Sequence, residues 1–326
     1  MLSVFVPRPQ GMARVAWAPE QPFPPDAVWF DLLEPTPEEE KAVEAALKID
    51  VPTREEMREI ESSNRLYDEN GVLYMTATIV TKLDTDLPQS TQVTFILAGQ
   101  TLVTNRYTDP LPFRRFITYA ETHPATCSSS AILLAGLLEA IINRIADVIE
   151  RVAADLDQIS TEVFAAGRRQ QRLATSRDFR HVLARVGQSG ELVSKARESL
   201  VSLGRLLVFV QQATNSNLTQ EARTRLRTLS RDVLAMSDHA SFLGDKVQFA
   251  LDATLGMVTI DQNNILKIFS VVTVFLLPPS VIAGFYGMNF EHIPWLHEPW
   301  GWEAALALMA ASALLPYLWF KRKGWL

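Results

Sequence analysis

One stretch of this 326-residue chain spaces its polar and small residues as a single helix face would: Asn263, Leu266, Ser270, Thr273, Leu277, Ser280, Gly284 and Gly287 recur at intervals of three or four. A helix facing lipid has no reason to align Ser, Thr and Gly. A helix packed around a central axis uses small residues for close approach and hydroxyls to meet water. A two-helix hairpin packed on itself would use the same small residues, so the stripe alone leaves both arrangements open. Pro278-Pro279 interrupts the backbone donors within it. The stripe ends in Ala283-Gly284-Phe285-Tyr286-Gly287-Met288-Asn289-Phe290, where glycines let carbonyls face a ligand and Asn289 offers an amide oxygen. Such hard oxygen donors suit a hydrated Mg²⁺, which sheds its waters reluctantly. A Gly-x-Asn at a helix end also serves as a simple C-cap.

Two apolar runs position these residues. The run 268–285 is about as long as the shortest spanning helices, and 301–320 supplies the roughly 20 residues a bilayer needs. The short loop between them reads as a hairpin. Lys321-Arg322-Lys323 follows the second run, whereas the loop carries Glu291 and Glu298 and no Lys or Arg, so the positive-inside rule places both termini in the cytoplasm. Trp295, Trp300, Trp302, Trp319 and Trp325 fall near the expected interfaces. The N-terminus lacks the charged and apolar regions of a cleavable signal.

Ahead of the membrane segment, the first third alternates in short runs: LSVFVPR, AVWFDLLEP, GVLYMTATIV, TQVTFILAG and TLVTNRY read as strands. Asn70-Gly71 and Gly99-Gln100 sit where tight hairpin turns belong. Thr36-Pro37-Glu38-Glu39 predicts a helix opened by a capping box and running to Lys48. From Ser128 onward Gly and Pro almost vanish, and helical spacing predicts long helices over 128–166, 170–212 and from Leu218 to Asn289. The reading is an α+β chain: a mixed α/β domain over 1–125, long stalk helices over 126–264, a first transmembrane pore helix over 265–290, an outer loop over 291–300, a second span over 301–320 and a basic tail over 321–326.

Composition narrows the function further. A formal charge of −6 opposes nucleic acid as a partner, 48% hydrophobic residues exceed an ordinary soluble protein, and one cysteine, Cys127, excludes an internal disulfide. No P-loop, nucleophile motif or metal-hydrolase spacing points to an enzyme, and no cofactor is expected.

Tyr286-Gly287-Met288-Asn289-Phe290-Glu291, about 37 residues before the end of a chain that reads Phe320-Lys321-Arg322-Lys323-Gly324-Trp325-Leu326, resembles the CorA family of magnesium and cobalt transporters. The likeness extends over Asp261-Gln262-Asn263-Asn264 to Pro278-Pro279 and suits the whole chain. It implies a homopentameric funnel in the inner (plasma) membrane with the first membrane helix of each copy lining a pore. Gly287, Met288 and Asn289 would then form the outer selectivity filter for a hydrated cation. Ser280 and Asn263 match positions that bind or pass the ion, Leu266 and Leu277 match apolar constrictions, and Asp252 matches an acidic ring. Ser270, Thr273 and Gly284 complete the pore face, and Glu291 and Glu298 attract cations outside. The transported ion would be Mg²⁺, with Co²⁺ and Ni²⁺ as co-substrates.

The chain departs from the family pattern in two places. Trp295 stands where relatives place a second loop glutamate, and Arg168, Arg169, Arg172, Arg177 and Arg180 make basic a helix that relatives often make acidic. His292 and His297 beside the altered loop are the hint for a zinc-preferring relative. A membrane-anchored regulator that has lost conduction is the reading from another class. Asp84, Asp86, Asp232 and Asp238 are candidate inter-subunit regulatory ligands, with no spacing that singles out a pair. Lys267 and Lys321-Arg322-Lys323 read as topology and lipid-headgroup contacts, or as a basic collar that modulates the pore.

Overall fold

The computed structural model describes residues 1–18, 21–59, 61–82, 88–168, 176–213, 218–289, 293–295 and 298–323. Two compact units divide it, Met1–Asp252 and Ala253–Leu326.

In the first unit, alternating apolar side chains build a seven-stranded sheet from β1 (Leu2–Arg8), β2 (Gly11–Ala16), β3 (Trp29–Leu33), β4 (Leu66–Glu69), β5 (Val72–Thr81), β6 (Gln89–Ala98) and β7 (Thr101–Arg106), in the order β2-β1-β3-β7-β6-β5-β4. Only the β3–β7 pair is parallel among these neighbours. Both faces are covered. Leu2, Val4, Phe30, Leu32, Ile96 and Val103 pack with Val43 of α1 (Pro37–Leu47) on one side. On the other, Phe5 stacks on Trp29 at 4.7 Å and Trp29 meets Phe116 of α3 (Leu111–Ala120) at 6.0 Å. The five sequence-predicted strands are present. β2 and β4 were not read in advance, because an edge strand such as Leu66–Glu69, with two acidic residues in four, lacks the apolar alternation of a covered one. A four-residue helix, α2 (Ser62–Arg65), precedes β4. Asn70 (φ 53°) and Gly71 (φ 80°) turn β4 into β5, the positive angles that a two-residue hairpin needs.

α1 begins as its sequence dictates. The Thr36 hydroxyl accepts from the Glu39 amide, and Glu39 Oε2 accepts the Thr36 amide at 3.0 Å. Glu39 also accepts the Leu2 amide at 2.8 Å and pairs with the N-terminal ammonium at 2.9 Å, so one carboxylate fixes both the helix start and strand β1. Thr36→Ala should therefore lower stability by about 1 kcal/mol, read as a lower thermal midpoint.

The short β4 pairs only as far as Met75, leaving the far half of β5 without a strand on that side. Helix α5 (Ser176–Gln212) covers it: Ser202 Oγ accepts the Thr78 amide at 2.9 Å, and Ser199 Oγ donates to the Thr78 carbonyl at 2.9 Å. These bonds satisfy backbone groups that an open edge would expose. α4 (Ser130–Arg168) is tied to α5 by Arg185, which forks onto Glu162 at 3.0 Å and also bonds Asp155. Lys246 of α6 (Gln220–Tyr286) reaches Asp157 of α4 at 2.7 Å.

Tyr67 stacks on Tyr74 with centroids 4.6 Å apart. Burial, then the neighbouring Tyr74, pushes the Tyr67 phenol up to about 12 from its ordinary 10. The fold thus favours the neutral phenol, a contribution fully present below pH about 10 and lost as pH rises through about 12. An alkaline titration should show the unfolding limb moving to higher pH in Tyr67→Phe.

The second unit holds the remainder of α6 and the helix α7 (Gly301–Lys323), which continues through the basic triplet. α6 spans 67 residues, about 100 Å at 1.5 Å per residue. Gly301 opens α7 under the carbonyl of Trp295, where an added Cβ would lie 2.0 Å from that oxygen.

Candidate functional site

Of the stripe residues, Asn263, Leu266, Ser270, Thr273, Leu277, Ser280 and Gly284 lie on α6 and Gly287 just follows it, and all are exposed. The half-buried residues of the same segment are Val271, Val274, Phe275, Pro278, Pro279, Ile282 and Tyr286. At 100° per residue the two sets face roughly 150° apart around the helix axis. α7 takes the half-buried side: Phe275 meets Tyr317 at 6.0 Å, and α7 turns in Gly301, Ala304, Ala305, Ser312 and Ala313, small residues that allow close approach. From Thr273 to Gly284 the polar stripe is therefore not the surface on which α7 packs within the chain.

Three hydroxyls on the stripe behave alike. Ser270, Thr273 and Ser280 donate to the carbonyls four residues back, Leu266, Phe269 and Leu276, at 2.8, 2.8 and 2.7 Å. With the proton turned into the helix, each oxygen keeps lone pairs pointing outward. The face thus offers acceptors, which suit the hydrogens of a cation's hydration shell. Leu266 and Leu277 interrupt it with side chains 62% and 57% exposed, apolar groups that a single chain leaves uncovered. Pro278 and Pro279 have no amide for the carbonyls of Val274 and Phe275, on the side turned to α7.

The helix closes with the Gly287 amide on the Ala283 carbonyl at 2.9 Å and the Met288 amide on Phe285 at 3.3 Å. Gly287 is not in the left-handed conformation, so its glycine does not act as the αL cap that the spacing alone allowed. A Cβ there would stand 3.2 Å from the Ala283 oxygen. Met288 and Asn289 follow, both exposed. In the loop, Glu298 is exposed; Glu291, His292 and His297 lie outside the described residues.

In the first unit, Asp252 is exposed and accepts from Gln248 Nε2 at 3.0 Å. Its helix buries Ala222, Leu226, Leu229, Val233, Ala240, Leu243 and Ala250. The opposite side presents Asp238, Asp245 and Asp252 seven residues apart, with Phe242 and Phe249, 60% and 55% exposed, between them. The two phenylalanines were not read from the sequence, although their seven-residue spacing marks a seam. Of the candidate regulatory acids, Asp232 and Asp238 are exposed on α6 and Asp84 and Asp86 lie outside the described residues, as do Arg169 and Arg172; Arg180 is exposed on α5. No group of three metal-ligating side chains comes together among the described residues. Near the other end of the span, Lys267 borders a cleft with Asn263, Leu266, Ser270 and Phe320, while Lys321 and Lys323 lie over Tyr317 and Trp319 at 5.9 and 5.8 Å.

Two helices, α6 and α7, are long and apolar enough to cross a membrane. Residues 25–322 match the family described as CorA-like Mg²⁺ transporter protein. The chain belongs to this family. It is 33% identical over 303 residues to the magnesium transport protein CorA of Haemophilus influenzae strain Rd, covering 92% of each chain. It is 31% identical to that of Escherichia coli K12 over 326 residues, all of both chains. The CorA magnesium transporter of Methanocaldococcus jannaschii has the same fold, with a TM-score of 0.76 over 100% of this chain and 99% of that one at 18% identity. The CorA likeness thus covers the α/β domain, the long helices and both apolar helices.

Proposed function

We propose that this protein carries Mg²⁺ across the inner (plasma) membrane through a homopentameric pore, with the stripe of α6 from each copy facing the axis. The observation that carries the reading is the exposed polar stripe, turned away from α7 from Thr273 to Gly284. The CorA relatives named above supply the ion. In this arrangement Gly287, Met288 and Asn289 form the outer ring, where amide and carbonyl oxygens accept from the waters of a still-hydrated cation. Glu298, joined by Glu291, raises the local cation concentration there. Ser280, Thr273, Ser270 and Asn263 accept from the hydration shell along the path, and Gly284 leaves room for it. Leu277 and Leu266 form narrow apolar rings that close by dewetting. Asp252 meets the ion on the far side. The membrane potential drives inward flow, since each elementary charge gains about 2.3 kcal/mol per 100 mV and a divalent ion twice that.

Both termini are cytoplasmic in this reading, with 1–125 and 126–264 forming the inner funnel, 265–290 the pore helix, 291–300 the outer loop, 301–320 the second span and 321–326 a basic tail. Co²⁺ and Ni²⁺ are accepted alongside Mg²⁺. Regulation by internal divalent cations acts as a population shift that depends on tighter binding to the closed state.

The test is ion uptake into proteoliposomes holding the purified oligomer, with Mg²⁺ and Zn²⁺ presented separately and the copy number measured by light scattering. Five copies and Mg²⁺ uptake are expected. Zn²⁺ uptake without Mg²⁺ would transfer the protein to the zinc-preferring reading and promote His292 and His297, and no flux from an intact pentamer would make it a non-conducting regulator.

A further inference from the structure

In the α/β unit, the ends of β5, β6 and β7 border a cleft of about 190 Å³ whose lining, among the described residues, contains two arginines and no carboxylate. We propose that this cleft binds a small, multiply charged oxyanion of phosphate size. Arg54 and Arg58 supply the charge, and neither makes an ion pair among the described residues. Around them stand hydroxyls and amides of consecutive β6 residues, Ser90, Thr91 and Gln92, with Thr108 opposite. The Thr108 hydroxyl donates to Thr91 Oγ1 at 3.3 Å, which holds both in place.

One cation is already placed, and the backbone that carries the other is fixed. The Arg54 guanidinium lies 5.2 Å above the Tyr107 ring. The turn that carries Arg58 is closed by Glu56, whose carboxylate accepts from the Thr53 amide at 2.8 Å and the Thr53 hydroxyl at 2.9 Å. Three carboxylates near the lining residues have partners: Glu198 accepts from Ser90 at 3.2 Å, Glu40 from Tyr107 at 3.4 Å, and Asp109 pairs with Arg106 at 2.7 Å. Two planar guanidinium groups, with the Gln92 amide and the Thr91 hydroxyl as further donors, match the oxygens of a phosphate better than they match any cation. The cleft has room for phosphate and its first waters.

The experiment is calorimetric titration of the full-length protein in detergent with inorganic phosphate, without divalent cations, beside Arg54→Gln, Arg58→Gln and the double variant. Saturable binding, weakened about tenfold or more by each single change and abolished in the double, is expected. Arg115→Gln, exposed on α3 and away from the cleft, should bind as the unaltered protein does. Phosphate should also raise the melting temperature of the unaltered protein and not that of the double variant. Gln92→Ala, expected to weaken binding without removing charge, keeps the test decisive if the double variant is unfolded. No saturable binding by the unaltered protein, or full binding by the variants, overturns the proposal. None of these readouts requires ion flux, so a failed pore reading would leave the result interpretable.

Discussion

Asn289→Ala is expected to reduce Mg²⁺ uptake by one to two orders of magnitude while leaving assembly intact. The side chain is exposed beyond the last turn of α6, so its removal breaks no packing within the chain. In the proposed arrangement it removes an amide oxygen from every copy at the outer mouth. A hydrogen bond to a charged group is worth about 1.5–3 kcal/mol, and a loss of about 1.4 kcal/mol is tenfold in rate. Several copies acting on one hydrated ion bring the effect to that range even when water replaces part of the loss. Asn289→Asp should behave differently, because a carboxylate ring keeps the acceptors and adds charge. Tighter binding and slower release are expected, seen as saturation at lower Mg²⁺ with a lower maximal rate. Uptake into liposomes, normalised to the amount of reconstituted protein, checks both.

Removing Asp31 should destabilise the α/β unit more than any other single change considered. Asp31 and Arg106 are each 3% exposed and form a forked pair, with bonds of 2.9 and 2.8 Å from Arg106 Nε and Nη2. Asp31 also accepts from Thr104 at 2.7 Å, which in turn accepts from the Trp29 indole at 3.0 Å. Arg106 extends the network to Asp109 at 2.7 Å and lies 4.6 Å over the Phe113 ring. Burial alone would push the Arg106 guanidinium down; the Asp31 carboxylate offsets this and leaves it above its ordinary value. Asp31→Ala strands a buried cation and should cost about 3–5 kcal/mol. At roughly 2–4 °C per kcal/mol, the thermal midpoint should fall by about 10 °C. Replacing both partners with apolar residues of similar volume should cost much less than the single change, because no charge is left unmatched.

That network shows where sequence reading stopped. Asp31 and Arg106 lie 75 residues apart, and nothing in either local pattern announces that parallel strands β3 and β7 bring them together. The serines that cover the edge of β5 were equally hidden, since Ser199 and Ser202 look like ordinary polar positions on a long helix until Thr78 is seen opposite them. By contrast, the capping box at Thr36 and Glu39 depends on residues three apart, and both of its bonds are present. The length of α6 was legible for the same reason: unbroken periodicity is a local property. The stripe from Asn263 to Gly284 was legible as a stripe. Its direction was not, because only the placement of α7 shows which side of α6 remains open. Phe242 and Phe249 carry a seven-residue signal of their own, but in a helix this long an apolar pair at that spacing reads as core until its exposure is seen.

If the open face of α6 lines the path of the ion, a charged group attached to it must block that path. The variant to use is Ser280→Cys with Cys127→Ser, reconstituted and exposed to a positively charged methanethiosulfonate reagent during Mg²⁺ uptake. Modification should stop uptake, Mg²⁺ at high concentration should slow the modification, and Leu315→Cys on the outer face of α7 should conduct normally when labelled. Full uptake after complete labelling of Ser280→Cys would contradict the account.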